Sequence, residues 1–187
     1  YSMASTRNIF NSIQNKNRKL KICLLHFDQQ YETLLSKTNQ DFYILENENN
    51  KWDTKVNNIP ENFYTFHNGG LIELLAFDLL IAGGRFTNNP NIANQIRSRH
   101  QIPCFFYESG YPWSFDSKLK CVDDIPRRYI NMLRQTSGSL NVFTSQEILE
   151  SWSGITDNNI VIPDIQGDED KFVEGWNTVF NNYKEVQ

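Results

Sequence analysis

Three short runs of the chain, residues 22–25, 79–82 and 103–106, are apolar on both of their alternating faces. A strand with one face in solvent shows polar residues at every second position, whereas a central parallel strand is covered by helices on both sides. Helical patterns separate the apolar runs, and this alternation is typical of α/β domains. The three runs therefore predict buried, parallel strands inside one sheet.

The same patterns assign the rest of the chain. Strands are predicted at residues 20–27, 41–45, 62–66, 77–82, 103–107, from 141 to the Thr-Ser pair at 144–145, and at 160–162. Helices are predicted at residues 28–37, 71–76, 91–100, 125–135 and 169–184, with a short one between the last two strands. Residues 46–60 and 113–124 are expected to be irregular. The predicted fold is α/β, a single Rossmann-like, doubly wound, mainly parallel sheet with helices on both faces and the first strand central.

Domain organisation follows from length. The 187 residues suffice for one domain with a full core and are too few for two Rossmann-like domains. We interpret residues 1–19 as an N-terminal tail, in which residues 1–2 are a remnant ahead of a native Met3. Residues 20–167 form the predicted domain, and residues 168–187 a closing helix. Five large side chains at helical spacing predict that this helix packs on the domain: Phe172, Trp176, Val179, Phe180 and Tyr183.

Composition excludes several classes of function. The formal net charge of −4 gives no general attraction for polyanions, so no nucleic-acid partner is expected. No apolar run is long enough to span a bilayer, and the polar start of the chain is unlike a signal peptide. Three cysteines without a C-x-x-C pair predict a reducing compartment, so we expect a cytoplasmic protein. Three scattered histidines predict no metal site.

Topology locates the candidate site. In doubly wound sheets the first strand lies beside strand 77–82, and ligands bind in the crevice where the winding reverses. Three segments are expected at the carboxyl edge there: His26-Phe27-Asp28, Gly83-Gly84-Arg85 and Glu108-Ser109-Gly110. We predict that His26, Arg85 and Glu108 converge in this crevice and contact the substrate, with Asp28 beside them.

The first two segments each allow two interpretations. Gly83 and Gly84 would let a ligand approach the backbone, and Arg85 would bind a phosphate or carboxylate through two hydrogen bonds. The alternative is an ordinary strand-to-helix turn with Arg85 in a surface salt bridge. His26 either donates to a ligand or is a satisfied, partly buried histidine. The turn after the first strand contains no glycine, so a dinucleotide site is not expected and we predict no cofactor.

The third segment, Tyr107 to Trp113, combines a carboxylate with aromatic rings. This combination suits a sugar, because rings stack on the apolar faces of a pyranose while a carboxylate accepts hydroxyl protons or acts as a general base. Glu108 is the candidate catalytic residue. Ser109, Tyr111 and Trp113 are candidate substrate-binding residues, with Trp113 on the lip of the crevice. The alternative is a capped loop whose aromatic side chains fold into the core.

Four stretches are similar to signatures of glycosyltransferases with the GT-B fold. They are FDLLIAGGRF (77–86), IPCFFYESGYPWSF (102–115), the Thr-Ser turn before QEILE, and VIPDIQGDEDKF (161–172). Their order resembles the N-terminal, acceptor-side domain of the retaining superfamily, and the second stretch resembles rhamnosyltransferase-like and phage-type enzymes. In these enzymes the last stretch marks the hinge into the sugar-nucleotide domain.

The resemblance implies that this half binds a carbohydrate or glycosylated acceptor and supplies a polar residue near Glu108 and Ser109. It also implies that a second domain holds the nucleotide-sugar. Only one helix follows the hinge stretch, so the isolated chain is expected to transfer no sugar. The chain departs from the family at two places, since Glu108 or Ser109 replaces the usual His or Asp and HFDQQ replaces a glycine-rich loop. Two alternatives stay open: a non-catalytic binding module with this fold, and a small enzyme with a nucleotide in the crevice.

Overall fold

The computed structural model describes residues 17–67, 75–164 and 166–186. Its strands are β1 (Lys21–Leu25), β2 (Asp41–Leu45), β3 (Phe63–Phe66), β4 (Leu79–Ala82), β5 (Cys104–Glu108), β6 (Leu140–Phe143) and β7 (Asn159–Val161). The helices of eight or more residues are α2 (Asn89–His100), α3 (Arg127–Gln135) and α5 (Glu169–Val186), and the shorter ones are α1 (Gln29–Leu35) and α4 (Gln146–Trp152). All strands are parallel in one sheet, in the order β3-β2-β1-β4-β5-β6-β7. The predicted α/β, Rossmann-like, doubly wound fold is confirmed.

The two faces of the sheet explain the wholly apolar strands. In β1, Ile22 and Leu24 belong to one core cluster, whereas Cys23 and Leu25 belong to the other. Side chains of α1 and α5 complete the first cluster, and Ala93 of α2 helps complete the second. Because helices cover both faces, every position of a central strand must be apolar. β1, β4 and β5 are the third, fourth and fifth of the seven strands, so the predicted interior position of the three apolar runs is correct.

Several element boundaries differ from the predicted ones by one or two residues, and at the start of β4 a polar side chain is the reason. β4 begins at Leu79 and not at residue 77, because the Asp78 carboxylate accepts the backbone N–H of Lys21 (2.8 Å) and pairs with Arg18 (3.0 Å). α3 begins at Arg127, with Pro126 immediately before it. The predicted helix at 71–76 and the predicted tail at 1–19 lie mostly outside the described residues.

The irregular segment 46–60 is anchored to the core by one ring. Trp52 is only 7% exposed and belongs to the first core cluster. Its indole N–H donates to the carbonyl of Asn57 (3.1 Å), and its backbone N–H donates to the carboxylate of Glu46. The side-chain amide of Asn50 donates to the carbonyl of His26, which holds the loop next to the end of β1.

The closing helix α5 packs on the sheet, as its aromatic spacing predicts. Phe172, Trp176 and Phe180 are fully buried in the first core cluster. The indole N–H of Trp176 donates to the hydroxyl of Tyr31 in α1 (3.1 Å), so α5 and α1 form one layer. None of the helices in the described ranges is long and apolar enough to cross a membrane.

Candidate functional site

The loops after β1, β4 and β5 leave the sheet at the same edge. Leu25, the last residue of β1, pairs with Ala82 at the end of β4, and Ala82 pairs with Phe106 of β5. β2 lies on the other side of β1, so the winding reverses between β1 and β4. The predicted site residues at 26–28, 83–85 and 108–113 therefore lie along the carboxyl edge, which is where open α/β sheets bind ligands.

His26 is tied to a fully buried carboxylate. Its Nδ1 lies 2.9 Å from Oε2 and 3.1 Å from Oε1 of Glu32, a residue of α1. The ring also lies 5.8 Å from the ring of Trp52. Burial lowers the pKa of His26, but Glu32, with smaller contributions from Glu46 and the backbone of Lys51, raises it above its ordinary value overall. Burial raises the pKa of Glu32 to about 7 against the opposing effect of His26. This geometry matches the interpretation of His26 as a satisfied, buried histidine.

We expect the stability of the protein to fall as pH rises from about 5 to 8. The ordinary pKa values of Glu32 and His26 are 4.5 and 6.5, and both are raised in the folded state. The folded state therefore holds more protons than the unfolded chain in this window, and each extra proton lowers stability by up to about 1.4 kcal/mol per pH unit as pH rises. In Glu32→Gln, burial still lowers the pKa of His26 while the opposing carboxylate is gone, so the slope should flatten or reverse.

Chemical denaturation across this pH range tests the expectation. Glu61→Gln, which changes an exposed glutamate, should keep the wild-type slope. A slope that Glu32→Gln leaves unchanged would show that the His26–Glu32 pair does not control it.

Asp28 occupies the start of α1. Its carboxylate accepts the backbone N–H groups of Gln30 and Tyr31, both at 3.1 Å. These donors are the ones that a helix N-terminus would otherwise offer to an anionic ligand. The Asp28 carboxylate thus acts as the N-cap of α1 and occupies the N–H groups that an anionic ligand would need.

The space in front of the two glycines is filled by the chain's own rings. A Cβ atom on Gly83 would lie 2.3 Å from Cζ of Tyr107, and one on Gly84 would lie 2.6 Å from Cδ2 of Phe27. Gly84 also has a φ of +71°, which favours glycine. Close packing of Tyr107 and Phe27 is therefore a reason for glycine that sequence reasoning did not anticipate.

Arg85 is a buried cation between two aromatic rings. Its guanidinium carbon lies 4.7 Å from the ring centre of Phe106 and 4.9 Å from that of Trp152. Nη2 donates to Oδ1 of Asn141 (3.1 Å), while Nε and Nη1 have no hydrogen-bond partner among the described residues. Burial lowers the pKa of Arg85, and the charge of Glu108 opposes this shift. The alternative prediction of a surface salt bridge is wrong, because Arg85 is 3% exposed and lies within 4.0 Å of no carboxylate oxygen in the described residues.

Asn141 is the residue that sequence reasoning missed. It lies at the start of β6, is fully buried, and its side chain donates to the carbonyl oxygens of Asp157 (2.7 Å) and Gly138 (3.3 Å). Its Oδ1 accepts Arg85 and the backbone N–H of Gly138. The sequence feature that could have identified Asn141 is its amide at the start of the apolar strand Asn141-Val142-Phe143. A polar group buried in such a strand must have hydrogen-bond partners.

The segment after β5 is held by polar contacts of its own. Oε1 of Glu108 accepts the backbone N–H of Gly110 (2.8 Å). Burial raises the pKa of Glu108, against these backbone hydrogen bonds and the charge of Arg85. The rings of Tyr111 and Trp113 stack at 4.7 Å and 7°, and the Tyr111 hydroxyl donates to Glu147. Ser109 is exposed.

A cleft of about 320 Å³ opens beside Arg85, between the loop after β4 and helices α2 and α3. Aromatic, aliphatic and small polar side chains line it: Arg85, Phe86, Thr87, Pro90, Asn91, Phe115, Tyr129, Met132, Leu133 and Thr136. His26, Glu108 and Trp113 are not among them. The cleft combines segments distant in the sequence, so no local pattern indicated it.

The cleft offers a buried cation and aromatic faces, whereas Glu108, the carboxylate with a raised pKa, lies outside it. In the described part of the chain, no cluster of three or more His, Cys, Asp or Glu side chains is arranged to hold a metal ion. No protein-family model matches the sequence, and no curated protein matches it.

Proposed function

We propose that this chain is the acceptor-binding half of a glycosyltransferase and takes a carbohydrate or glycosylated acceptor at the carboxyl edge of its sheet. The stretches that resemble GT-B signatures fall on successive strand ends. FDLLIAGGRF runs through β4, IPCFFYESGYPWSF runs through β5, and VIPD follows from β7. Ser145 of the Thr-Ser turn caps α4 by accepting the backbone N–H of Ile148 (3.2 Å). Agreement of order and position supports the proposal more than any one short stretch.

The aromatic cleft is the observation that carries the proposal. Phe115 lies at its centre, with ring centres of Phe86 and Tyr129 at 5.4 Å and 5.0 Å. Such ring faces suit the apolar side of a pyranose, and Thr87 and Asn91 supply groups for its hydroxyls. A volume of about 320 Å³ is at the lower end of the range for small-ligand sites.

In this proposal Glu108 acts in proton transfer, and a second domain holds the nucleotide-sugar. A carboxyl group with a pKa above its ordinary value is better matched to acid–base chemistry near neutral pH. The start of α1, a common phosphate site in doubly wound folds, is already capped by Asp28, which agrees with a donor held elsewhere. Free thiols at Cys23 and Cys104 agree with a cytoplasmic location.

A non-catalytic binding module is the second candidate. The observation that favours it is the hydrogen bond from Gly110 to the Glu108 carboxylate, which caps the loop after β5. In such a module Glu108 stabilises the loop, and the cleft binds its ligand without chemistry.

Saccharide binding by the purified chain tests the proposal. We expect a glycan array to detect binding, and Phe115→Ala to weaken the affinity for the bound saccharide about tenfold or more, because a buried ring face is lost. Titration calorimetry with that saccharide measures the change. Phe27→Ala is the matched control, since Phe27 is 48% exposed near the same sheet edge but does not line the cleft.

Phe27→Ala should leave the affinity within about twofold of the wild type. An array without any bound saccharide, or an equal loss in the two variants, would count against a carbohydrate site in this cleft.

A further inference from the structure

We propose that the cleft beside Arg85 contains an anion-binding subsite, so that its ligand carries a phosphate or carboxylate group. The inference rests on the proposed function for the saccharide part of the ligand. The surroundings of Arg85 and the first turn of α2 indicate the anionic group of the ligand independently of that function.

Arg85 is the first observation. A cation removed from water needs an acid or several hydrogen bonds to offset the loss of hydration. Within the part of the chain that the structure describes, Arg85 has one hydrogen bond, to the neutral amide of Asn141, and its Nε and Nη1 are unpartnered. Glu108 attracts it but forms no ion pair within 4.0 Å. The surroundings of the Arg85 guanidinium therefore lack a counter-ion.

A purely structural role explains the position of Arg85 less well. The slot between Phe106 and Trp152 would accept a neutral side chain of similar length, which fills the space without desolvating a charge. Stacking on two rings offsets part of that penalty. It does not supply partners for the three N–H groups on Nε and Nη1, and these point to a missing acceptor.

The first turn of α2 is the second observation. Thr87, Pro90 and Asn91 line the cleft, and the 12-residue helix carries no acidic residue in its first turn. The side chain of the N-cap residue Asn88 makes no capping hydrogen bond, but the N–H of Asn89 donates to the Thr87 hydroxyl (3.1 Å) and Pro90 has no N–H. The helix therefore acts on the cleft through its dipole and not through a free N–H. The positive end of the helix dipole thus adds to the charge of Arg85 at one cleft, which no carboxylate of residues 17–67, 75–164 or 166–186 lines.

An anion reaches Arg85 only after a small side-chain movement. Nε and Nη1 are closed off from solvent. Phe86 follows Arg85 directly, is 39% exposed, and has its ring centre 6.4 Å from that of Trp152. Because exposed side chains change rotamer rapidly, rotation of Phe86 opens this side of the cleft at little cost.

The walls of the cleft define the rest of the ligand. Rings and aliphatic groups next to a cation suit a molecule that joins an anionic group to a body with an apolar face. A sugar phosphate and a uronic acid both have this chemistry. The phosphate offers more oxygens to a guanidinium and a helix N-terminus, whereas the carboxylate offers two.

Titration calorimetry with four probes tests the subsite: inorganic phosphate, glucose-6-phosphate, glucuronate and glucose. We expect phosphate to bind the wild type at millimolar concentration. Arg85→Met should raise the dissociation constant for phosphate about tenfold or more, because a charge-assisted hydrogen bond is lost. Comparison of glucose-6-phosphate with glucuronate distinguishes the two sources of the anion.

Asn91→Asp keeps the test valid if Arg85→Met folds poorly. Asn91 is exposed, and an acid in the first turn of α2 favours the helix while it repels an anion. We expect weaker phosphate binding, by about threefold or more, without a loss of thermal stability. Asn181→Asp makes the same charge change on the exposed side of α5 and should keep the wild-type affinity within about twofold.

Two results would overturn the subsite: wild-type protein that does not bind phosphate, or binding that Arg85→Met and Asn91→Asp leave unchanged. Binding of neutral saccharides by a wild-type protein that does not bind inorganic phosphate would reject the anion and preserve the proposed function. Phosphate binding that both variants weaken, with no saccharide on the array, would support the subsite and reject the proposed function.

Discussion

Replacing Trp176 by alanine is expected to lower the free energy of unfolding by about 3–5 kcal/mol. Trp176 is fully buried in the core cluster between α5, α1 and the sheet. The substitution removes the ring that packs against Phe180 (5.4 Å between ring centres) and leaves a cavity in a close-packed layer. It also leaves the hydroxyl of Tyr31 without its indole donor. Denaturant titration followed by circular dichroism measures the change.

Two further variants separate the causes of this loss. Trp176→Phe keeps a ring but not the indole N–H, so a loss smaller than that of Trp176→Ala is expected. Asn182→Ala, at an exposed position of the same helix, should change stability by no more than about 0.5 kcal/mol. A loss below about 1 kcal/mol for Trp176→Ala would mean that α5 contributes little to the stability of the sheet.

The strands were predictable because a buried strand requires apolar side chains at consecutive positions of the sequence. Leu79, Leu80, Ile81 and Ala82 alternate between the two core clusters, and each cluster requires apolar side chains. Hydrophobic periodicity therefore predicted both that β4 is a strand and that it lies inside the sheet. The pattern did not predict the residue at which β4 begins, because Asp78 interacts with Lys21 and Arg18, which are distant in the sequence.

The candidate site was predictable only in its outline. Fold topology correctly indicated the edge at which residues 26–28, 83–85 and 108–113 lie. It did not indicate that Glu32 pairs with His26, because a glutamate on a short helix usually faces solvent. The partner of Arg85 was equally hidden, since Asn141 lies 56 residues away and on a different strand. Side-chain pairing across the sheet depends on packing, which local pattern does not encode.

Replacing Asn141 by alanine is expected to destabilise the protein by about 3–5 kcal/mol, although the change removes few atoms. The amide of Asn141 joins four groups: Arg85, the N–H and carbonyl of Gly138, and the carbonyl of Asp157. Alanine leaves all of them without this partner, and Arg85, which is buried, then has no hydrogen bond within the described residues. Leaving a buried polar group unsatisfied costs about 1–3 kcal/mol, and more when the group is charged.

A double-mutant cycle with Arg85→Met shows how much of this loss belongs to the cation. In the Arg85→Met background no charge is left unpaired, so Asn141→Ala should cost about 1.5–3 kcal/mol less than in the wild type. Asn159→Ala is the matched control, because the side chain of Asn159 on the neighbouring strand bonds, among the described residues, only to Thr156 of its own turn. Its cost should be about 1 kcal/mol in both backgrounds. If the losses from Asn141→Ala and Arg85→Met simply add, the hydrogen bond between them contributes nothing, and Arg85 is held by the rings of Phe106 and Trp152 alone.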